Sequence, residues 1–170
     1  PVNYIDIEIN PFSLNETKEN VTVFYPNISQ NEIQEFHKLT NGIPRVQSYS
    51  LDLKRQGISE IINYLKPNGK KVEDLIEERI IEAERKLGIN GKRSISTFFS
   101  YLIALPRPVP ILYLEQVTGL SIGFFNDLAT DIWHGIILEN NQFHFRDEDF
   151  ENHIRQQYKA NDTVLKNIAD

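Results

Sequence analysis

Between Pro110 and Asp147 the chain reads PILYLEQVTGLSIGFFNDLATDIWHGIILENNQFHFRD. Two short runs of helical period come first, at about Pro110–Val117 and Ser121–Asp131, with Thr118-Gly119 between them. Glycine adopts the left-handed backbone that ends one helix and opens a tight turn into the next. Two strand-like runs follow, Gly135–Glu139 and Gln142–Arg146, joined at Asn140-Asn141. Asparagine tolerates the positive φ that a two-residue hairpin turn requires. Asp147 stands where an N-cap belongs, ahead of a last helix to about Tyr158.

Upstream of this stretch, Ser94–Ala104 reads as one more helix, closed by Leu105-Pro106-Arg107-Pro108. Three short helices with a glycine turn between the second and third predict a helix-turn-helix. With the hairpin behind it, the expected unit is a winged helix.

Further toward the N-terminus the punctuation is regular. Ser13 with Glu16, and Ser29 with Glu32, are two capping boxes. They predict helices over about Leu14–Phe24 and Gln30–Thr40, with Gly42 as left-handed terminator of the second. Pro44 suits the first position of a helix to about Arg55, because its missing N–H is no loss there. A short helix at about Ser59–Leu65 ends at Pro67-Asn68-Gly69. The strongest helix is Val72–Leu87. Val72, Leu75, Ile76, Ile80, Ala83 and Leu87 form its apolar stripe, and Gly88 and Gly91 close it. Before all of these, Asn3–Ile9 alternates Ile5, Ile7 and Ile9 with polar residues, the period of a strand. No partner strand follows nearby, so the expectation is that this strand belongs to a larger domain. The best boundary lies near Gly88–Ser94, and the tail from Lys159 is polar.

The chain has 170 residues, a net charge of −6, one tryptophan, and neither cysteine nor methionine. The absence of cysteine excludes disulfides, thiolate metal sites and thiol nucleophiles. No apolar run approaches the roughly 20 residues that span a bilayer, so no membrane association is expected. The Asn-x-Ser/Thr triplets at Asn15, Asn20, Asn27 and Asn161 are what an Asn-rich sequence makes by chance. A cytoplasmic location is expected.

Candidate chemistry is sparse. Gly69-Lys70-Lys71 and Gly91-Lys92-Arg93 approach a phosphate loop but have neither the upstream glycine nor the closing Ser/Thr, and read as charged turns. Hydrolysis by this chain alone is not expected. Of His37, His134, His144 and His153, only His144 and His153 flank one feature, the start of the last helix, and a metal site there would need a third ligand where no cysteine exists. Asp147, Glu148, Asp149 and Glu151 crowd the first turn of the last helix, where carboxylates suit the helix dipole.

Winged helices often read DNA, but the charges here argue otherwise. The run Ser121–Asp131 has no Lys or Arg and carries Asp127 and Asp131. Between Ser94 and Tyr158, Arg107, Arg146 and Arg155 face eight acids: Glu115, Asp127, Asp131, Glu139, Asp147, Glu148, Asp149 and Glu151. Affinity for DNA rests mainly on neutralising phosphates, so nucleic acid is a disfavoured partner.

The order of parts resembles the STAND-type ATPases, the AAA+-related signal-transduction group. Thr40-Asn41-Gly42-Ile43-Pro44-Arg45-Val46 looks like the Gly-x-Pro-Arg segment that opens a lid helix there. Ile7-Glu8-Ile9-Asn10-Pro11-Phe12-Ser13, with Glu16-Thr17 beyond, is similar to the end of the ATPase core. Leu105–Pro110, Gly135–Leu138 and Phe145-Arg146-Asp147 resemble the winged-helix part. The likeness spans nearly the whole chain and is carried by the ordered set.

The resemblance implies a mainly α fold. A short strand left from an ATPase core (1–13) precedes a helical lid bundle (14–90), then a winged helix of three helices plus a β-hairpin (91–158), then a tail or the start of the next domain (159–170). It implies that Gly42, Ile43, Pro44 and Arg45 meet ATP or ADP, with Mg held by the missing core. Pro44 would offer a rigid surface to the adenine, and Arg45 a fork of donors to a phosphate. Relatives reach the nucleotide through Met-His-Asp at the start of the last helix. Phe145-Arg146-Asp147 stands at those positions, so Arg146, with His144 as a substitute, takes the place of the histidine. The implied partners are the ATPase core of the same protein and, on activation, further copies of it, in signalling or anti-phage defence. Composition alone reads Gly42–Arg45 as a tight helix–helix turn. A winged-helix DNA-binding regulator and a nucleotide-independent protein-interaction adaptor remain as alternatives.

Overall fold

The computed structural model describes residues 10–52 and 57–159, with the single positions 164, 166 and 168. Among the described residues the protein is mainly helical, with one small three-stranded antiparallel sheet. It divides into two compact units, Pro1–Leu75 and Ile76–Asp170. The division falls inside the long helix, so most of that helix groups with the second unit. The expected strand Asn3–Ile9 lies outside the described residues.

The first unit holds α1 (Leu14–Phe24), α2 (Gln30–Thr40), α3 (Pro44–Leu51), α4 (Ile58–Leu65) and the first turn of α5 (Val72–Lys86). Both capping boxes form. Ser13 Oγ accepts from the Glu16 N–H while the Glu16 carboxylate accepts from the Ser13 N–H at 2.7 Å, and Ser29 and Glu32 repeat the arrangement. These bonds hold both glutamate carboxyls below the usual range: the Ser13 N–H leads at Glu16, and the Ser29 hydroxyl at Glu32. Val21 from α1, Ile33 and Phe36 from α2, and Ile61 and Leu65 from α4 close the core. Helix α3 ends at Leu51, earlier than the expected Arg55, which lies among the undescribed residues 53–56.

In the second unit α5 gives way at Gly88 to a single 3₁₀ turn, Gly88–Asn90. Gly91 was expected to help close α5; instead it opens α6 (Gly91–Ala104). Gly91 is buried against α5, where a Cβ would strike the Glu84 carbonyl oxygen, so the glycine serves close packing rather than termination. Then come β1 (Val109–Pro110), α7 (Ile111–Thr118), α8 (Ile122–Asp131), β2 (Ile136–Glu139), β3 (Gln142–Phe145) and α9 (Glu148–Gln157).

The strand order is β1-β3-β2, with Val109 opposite Phe143 and Ile137 opposite His144. Strand β1 was not expected. Its two residues are too short for a period, and proline is rare in strands except at edges, which is where Pro110 sits. The hairpin turn is as read: Asn140 and Asn141 have φ of 51° and 58°.

The core of this unit is aromatic. Phe98 packs on Phe143 at 5.2 Å and on Phe125 at 5.8 Å, while Phe99 packs on Phe150 and on Tyr158 at 5.0 Å. Burial, with Glu84 and Glu77 nearby, pushes the Tyr158 phenol well above its ordinary range. Of the tail, Val164 is helical and buried.

Candidate functional site

The expected site residues fall in two groups. Gly42, Ile43, Pro44 and Arg45 form one turn of the first unit. His144 and Arg146 lie two positions apart at the end of the hairpin in the second.

The turn begins with two successive left-handed residues, Asn41 at φ 50° and Gly42 at φ 67°. Asn41 is the C-cap of α2, so the terminating role expected of Gly42 is shared. The Gly42 N–H returns to the His37 carbonyl at 3.1 Å, and the Ile43 N–H to that of Thr40 at 2.9 Å. These bonds satisfy carbonyls that the helix end would leave open. Ile43 is extended and exposed, and Pro44 is the first residue of α3. Arg45 follows, exposed, in a first turn that no side chain caps. This is the conformation that Gly-x-Pro-Arg was read to need.

Two supports of this turn were not read from the sequence. The Phe12 N–H donates to the Gly42 carbonyl at 2.7 Å. That approach leaves no room for a side chain: a Cβ on Gly42 would stand 2.5 Å from the Phe12 carbonyl oxygen. Beneath the turn lies a buried polar network. Gln47, fully buried in α3, donates to the hydroxyls of Thr17 (2.8 Å) and Thr40 (3.2 Å) and accepts from the Asn20 amide (3.1 Å). Thr17 Oγ1 also lies 2.8 Å from His37 Nδ1. Residues of α1, α2 and α3 are thus tied together directly behind Pro44 and Arg45. No local signal in the sequence marks this network, since a lone Gln on a short helix carries no period.

In the second unit the Asp147 carboxylate caps α9, accepting from the Phe150 N–H at 2.8 Å, as its place in the sequence required. His144 sits in β3, half-buried. Arg146 is exposed and turned onto Trp133: its guanidinium carbon lies 5.3 Å from the indole centroid, and Nη1 is 3.4 Å from the Trp133 carbonyl oxygen. Trp133 was not singled out from the sequence. Its being the one tryptophan is the signal the sequence offers; its exposure beside Arg146 comes from the fold.

Several other titratable groups are engaged structurally. His153 Nε2 is 3.0 Å from a Glu77 carboxylate oxygen, and Lys86 pairs with Asp131 at 2.6 Å. Glu151 receives both Arg107 (2.7 Å) and Arg155 (2.8 Å), and the Arg107 hydrogen bond leads in holding its carboxyl below the usual range. Among the described residues no group of three His, Asp or Glu side chains gathers as a metal site would need. No described helix is long and apolar enough to cross a membrane. No protein-family model matches the chain, and no curated protein matches it.

Proposed function

We propose that the chain is the regulatory lid and winged-helix region of a STAND-type nucleotide switch, acting with an ATPase core in the same polypeptide. The observation that carries this reading is the turn at Gly42. There a left-handed φ and the absence of a Cβ are both required, directly ahead of a helix-initiating Pro44 and an exposed Arg45. A plain helix–helix turn requires the first property and not the second. The sequence of α6, β1, α7, α8, β2 and β3, with β3 between β1 and β2, also suits a helix-turn-helix with a wing.

The residues at the turn fit an adenine nucleotide. Pro44 presents a rigid apolar ring, Arg45 a planar fork of donors, and the start of α3 the positive end of its dipole. The ATP or ADP supplies the triphosphate or diphosphate that distinguishes the two states, with its Mg on the core. A ligand shifts such an equilibrium only through different affinity for the two conformations. Arg45, together with Arg146 and His144 from the hairpin, is the source of that difference in this proposal. In the diphosphate state the lid and wing are closed and the protein is silent. In the triphosphate state they part, and the released surface supports self-association in cytoplasmic signalling or defence. The parent protein is then a slow ATPase, and this region contributes no catalytic residue. The acidic balance of the second unit speaks against the DNA-binding alternative.

The test is ADP affinity of the parent protein carrying Arg45→Ala. Charge-assisted hydrogen bonds contribute about 1.5–3 kcal/mol, so a loss of roughly tenfold or more is expected. Unchanged affinity in a folded variant would replace the switch with a nucleotide-independent adaptor. Tight, salt-dependent binding to duplex DNA would replace it with a DNA-binding regulator.

A further inference from the structure

Arg107, Arg146 and Arg155 are the basic side chains between Ser94 and Tyr158. Two of them, Arg107 and Arg155, are met by Glu151. Arg146 meets no carboxylate among the described residues. Its contacts with the Trp133 ring and carbonyl hold it at a groove of about 400 Å³ between α8 and β2. The apolar lining is Ala129 from α8, Trp133, and Ile136, Ile137 and Leu138 from β2; no carboxylate lines it. In an otherwise acidic unit, this groove sets a guanidinium beside apolar side chains and the neutral polar Asn126 and Thr130, with no carboxylate in its lining. Such a fork takes a carboxylate or phosphate well.

The shape of the groove narrows the choice of ligand. Strand β2 is at the edge of the sheet. The two-residue turn at Asn140-Asn141 makes Glu139 and Gln142 a hydrogen-bonded pair, and by alternation Ile137 and His144 are another. The bond from the Arg146 N–H to the Gly135 carbonyl, at 2.9 Å, keeps the same phase. The N–H and C=O of Leu138 therefore face away from β3, along an edge that no described strand pairs. His134 already stacks on the Trp133 ring at 3.8 Å and Arg146 stands over it, which leaves a nucleobase little flat surface.

We propose that the α8–β2 groove binds an extended acidic peptide of a partner protein. Its main chain pairs with the edge at Leu138, an apolar side chain lies along Ile137 and Trp133, and a carboxylate rests on Arg146. Main-chain bonds give such strand addition its affinity, and alternate side chains its specificity. This goes beyond the nucleotide-switch reading and uses none of its contacts at Arg45; the two share Arg146, which the peptide engages when the hairpin is away from the nucleotide.

Trp133 is the chain's one tryptophan, so its emission reports on this groove directly. The experiment titrates the full chain with a blocked peptide alternating aspartate and valine. A saturable blue shift is expected. Replacing aspartate by asparagine should weaken binding about tenfold, or about 1.4 kcal/mol. Arg146→Gln should weaken the aspartate peptide by the same factor and leave the asparagine peptide unchanged. N-methylation of alternate peptide amides, which needs no change in the protein, should abolish the shift. The proposal is overturned by no shift, by equal response to both peptides, by ADP displacing the peptide, or by a larger response to duplex DNA. Its failure is separable from that of the nucleotide reading, which is read at Arg45 through ADP affinity.

Discussion

The backbone of Phe12 is clasped to that of Gly42: the Phe12 N–H donates to the Gly42 carbonyl, and the Phe12 carbonyl lies where a Gly42 side chain would begin. Because Phe12 stands just ahead of the Ser13 cap, the clasp fixes the Pro44–Arg45 turn against the start of α1. Any displacement of the chain at Phe12 is passed to the turn through one hydrogen bond and one steric contact. Were the proposed switch to operate, movement of a core would reach Arg45 by this route.

Gly42→Ala should therefore destabilise the first unit by more than a simple helix-end substitution. It places a Cβ against a carbonyl oxygen and forces alanine to φ 67°. Left-handed strain alone costs about 1 kcal/mol or more, and the steric conflict adds to it, so about 2–3 kcal/mol is expected. Urea unfolding is the measurement. A loss below about 0.5 kcal/mol would show that the two segments move apart freely, and would remove the clasp as a coupling element.

The second expectation concerns Gln47, whose amide bridges Thr17 and Thr40 while accepting from Asn20. Gln47→Leu keeps the volume but deletes both donors in a fully buried place. Unsatisfied buried polar groups cost about 1–3 kcal/mol, which sets the expected loss. Thr17→Val deletes the hydroxyl between Gln47 and His37. Since the two residues share one hydrogen bond, the double variant should lose less than the sum of the singles, with a coupling of at least about 0.5 kcal/mol. Strict additivity in the double-mutant cycle would mean that the network is a set of independent contacts.

These two sites also show where a sequence is legible and where it is not. The capping boxes at Ser13 and Ser29, the αL-rich turn at Asn140-Asn141, the Asp147 cap and the bounds of α1 and α2 were all readable, because each is settled within a few residues of chain. The Phe12–Gly42 clasp, the burial of Gln47, the docking of Gly91 on Glu84 and the pairing of Val109 with Phe143 depend on segments brought together by packing. Nothing in a local window marks them. Helix α6 was expected from Ser94 because Gly91, Lys92 and Arg93 look like a charged turn; the close approach to α5 is what lets a helix begin on that glycine. The candidate site divides along the same line: the bend at Gly42–Pro44 was legible locally, its nucleotide role came only from the resemblance, and Trp133 as the seat of Arg146 required the fold.

Three carboxylates contribute to the acid limb of the stability profile. Glu16, Glu32 and Glu151 are each held below the ordinary glutamate value of 4.5 by hydrogen bonds made only in the folded protein. A group whose folded pKa is depressed contributes stability that is fully present above its unfolded pKa and is lost as pH falls through the folded one. These groups therefore add no pH dependence between neutrality and about pH 5, and stability should decline as pH drops below about 4.5. Glu151 separates from the other two because it alone joins Arg107 to Arg155, across from α9 to the segment ahead of β1. Glu151→Gln should cost about 0.5–1 kcal/mol at neutral pH, the range of partly exposed ion pairs, and added salt should shrink the difference. At a pH below the folded pKa the wild type is protonated there too, so the two proteins should converge. A gap that persisted or widened in acid would mean that Glu151 acts through packing and not through charge.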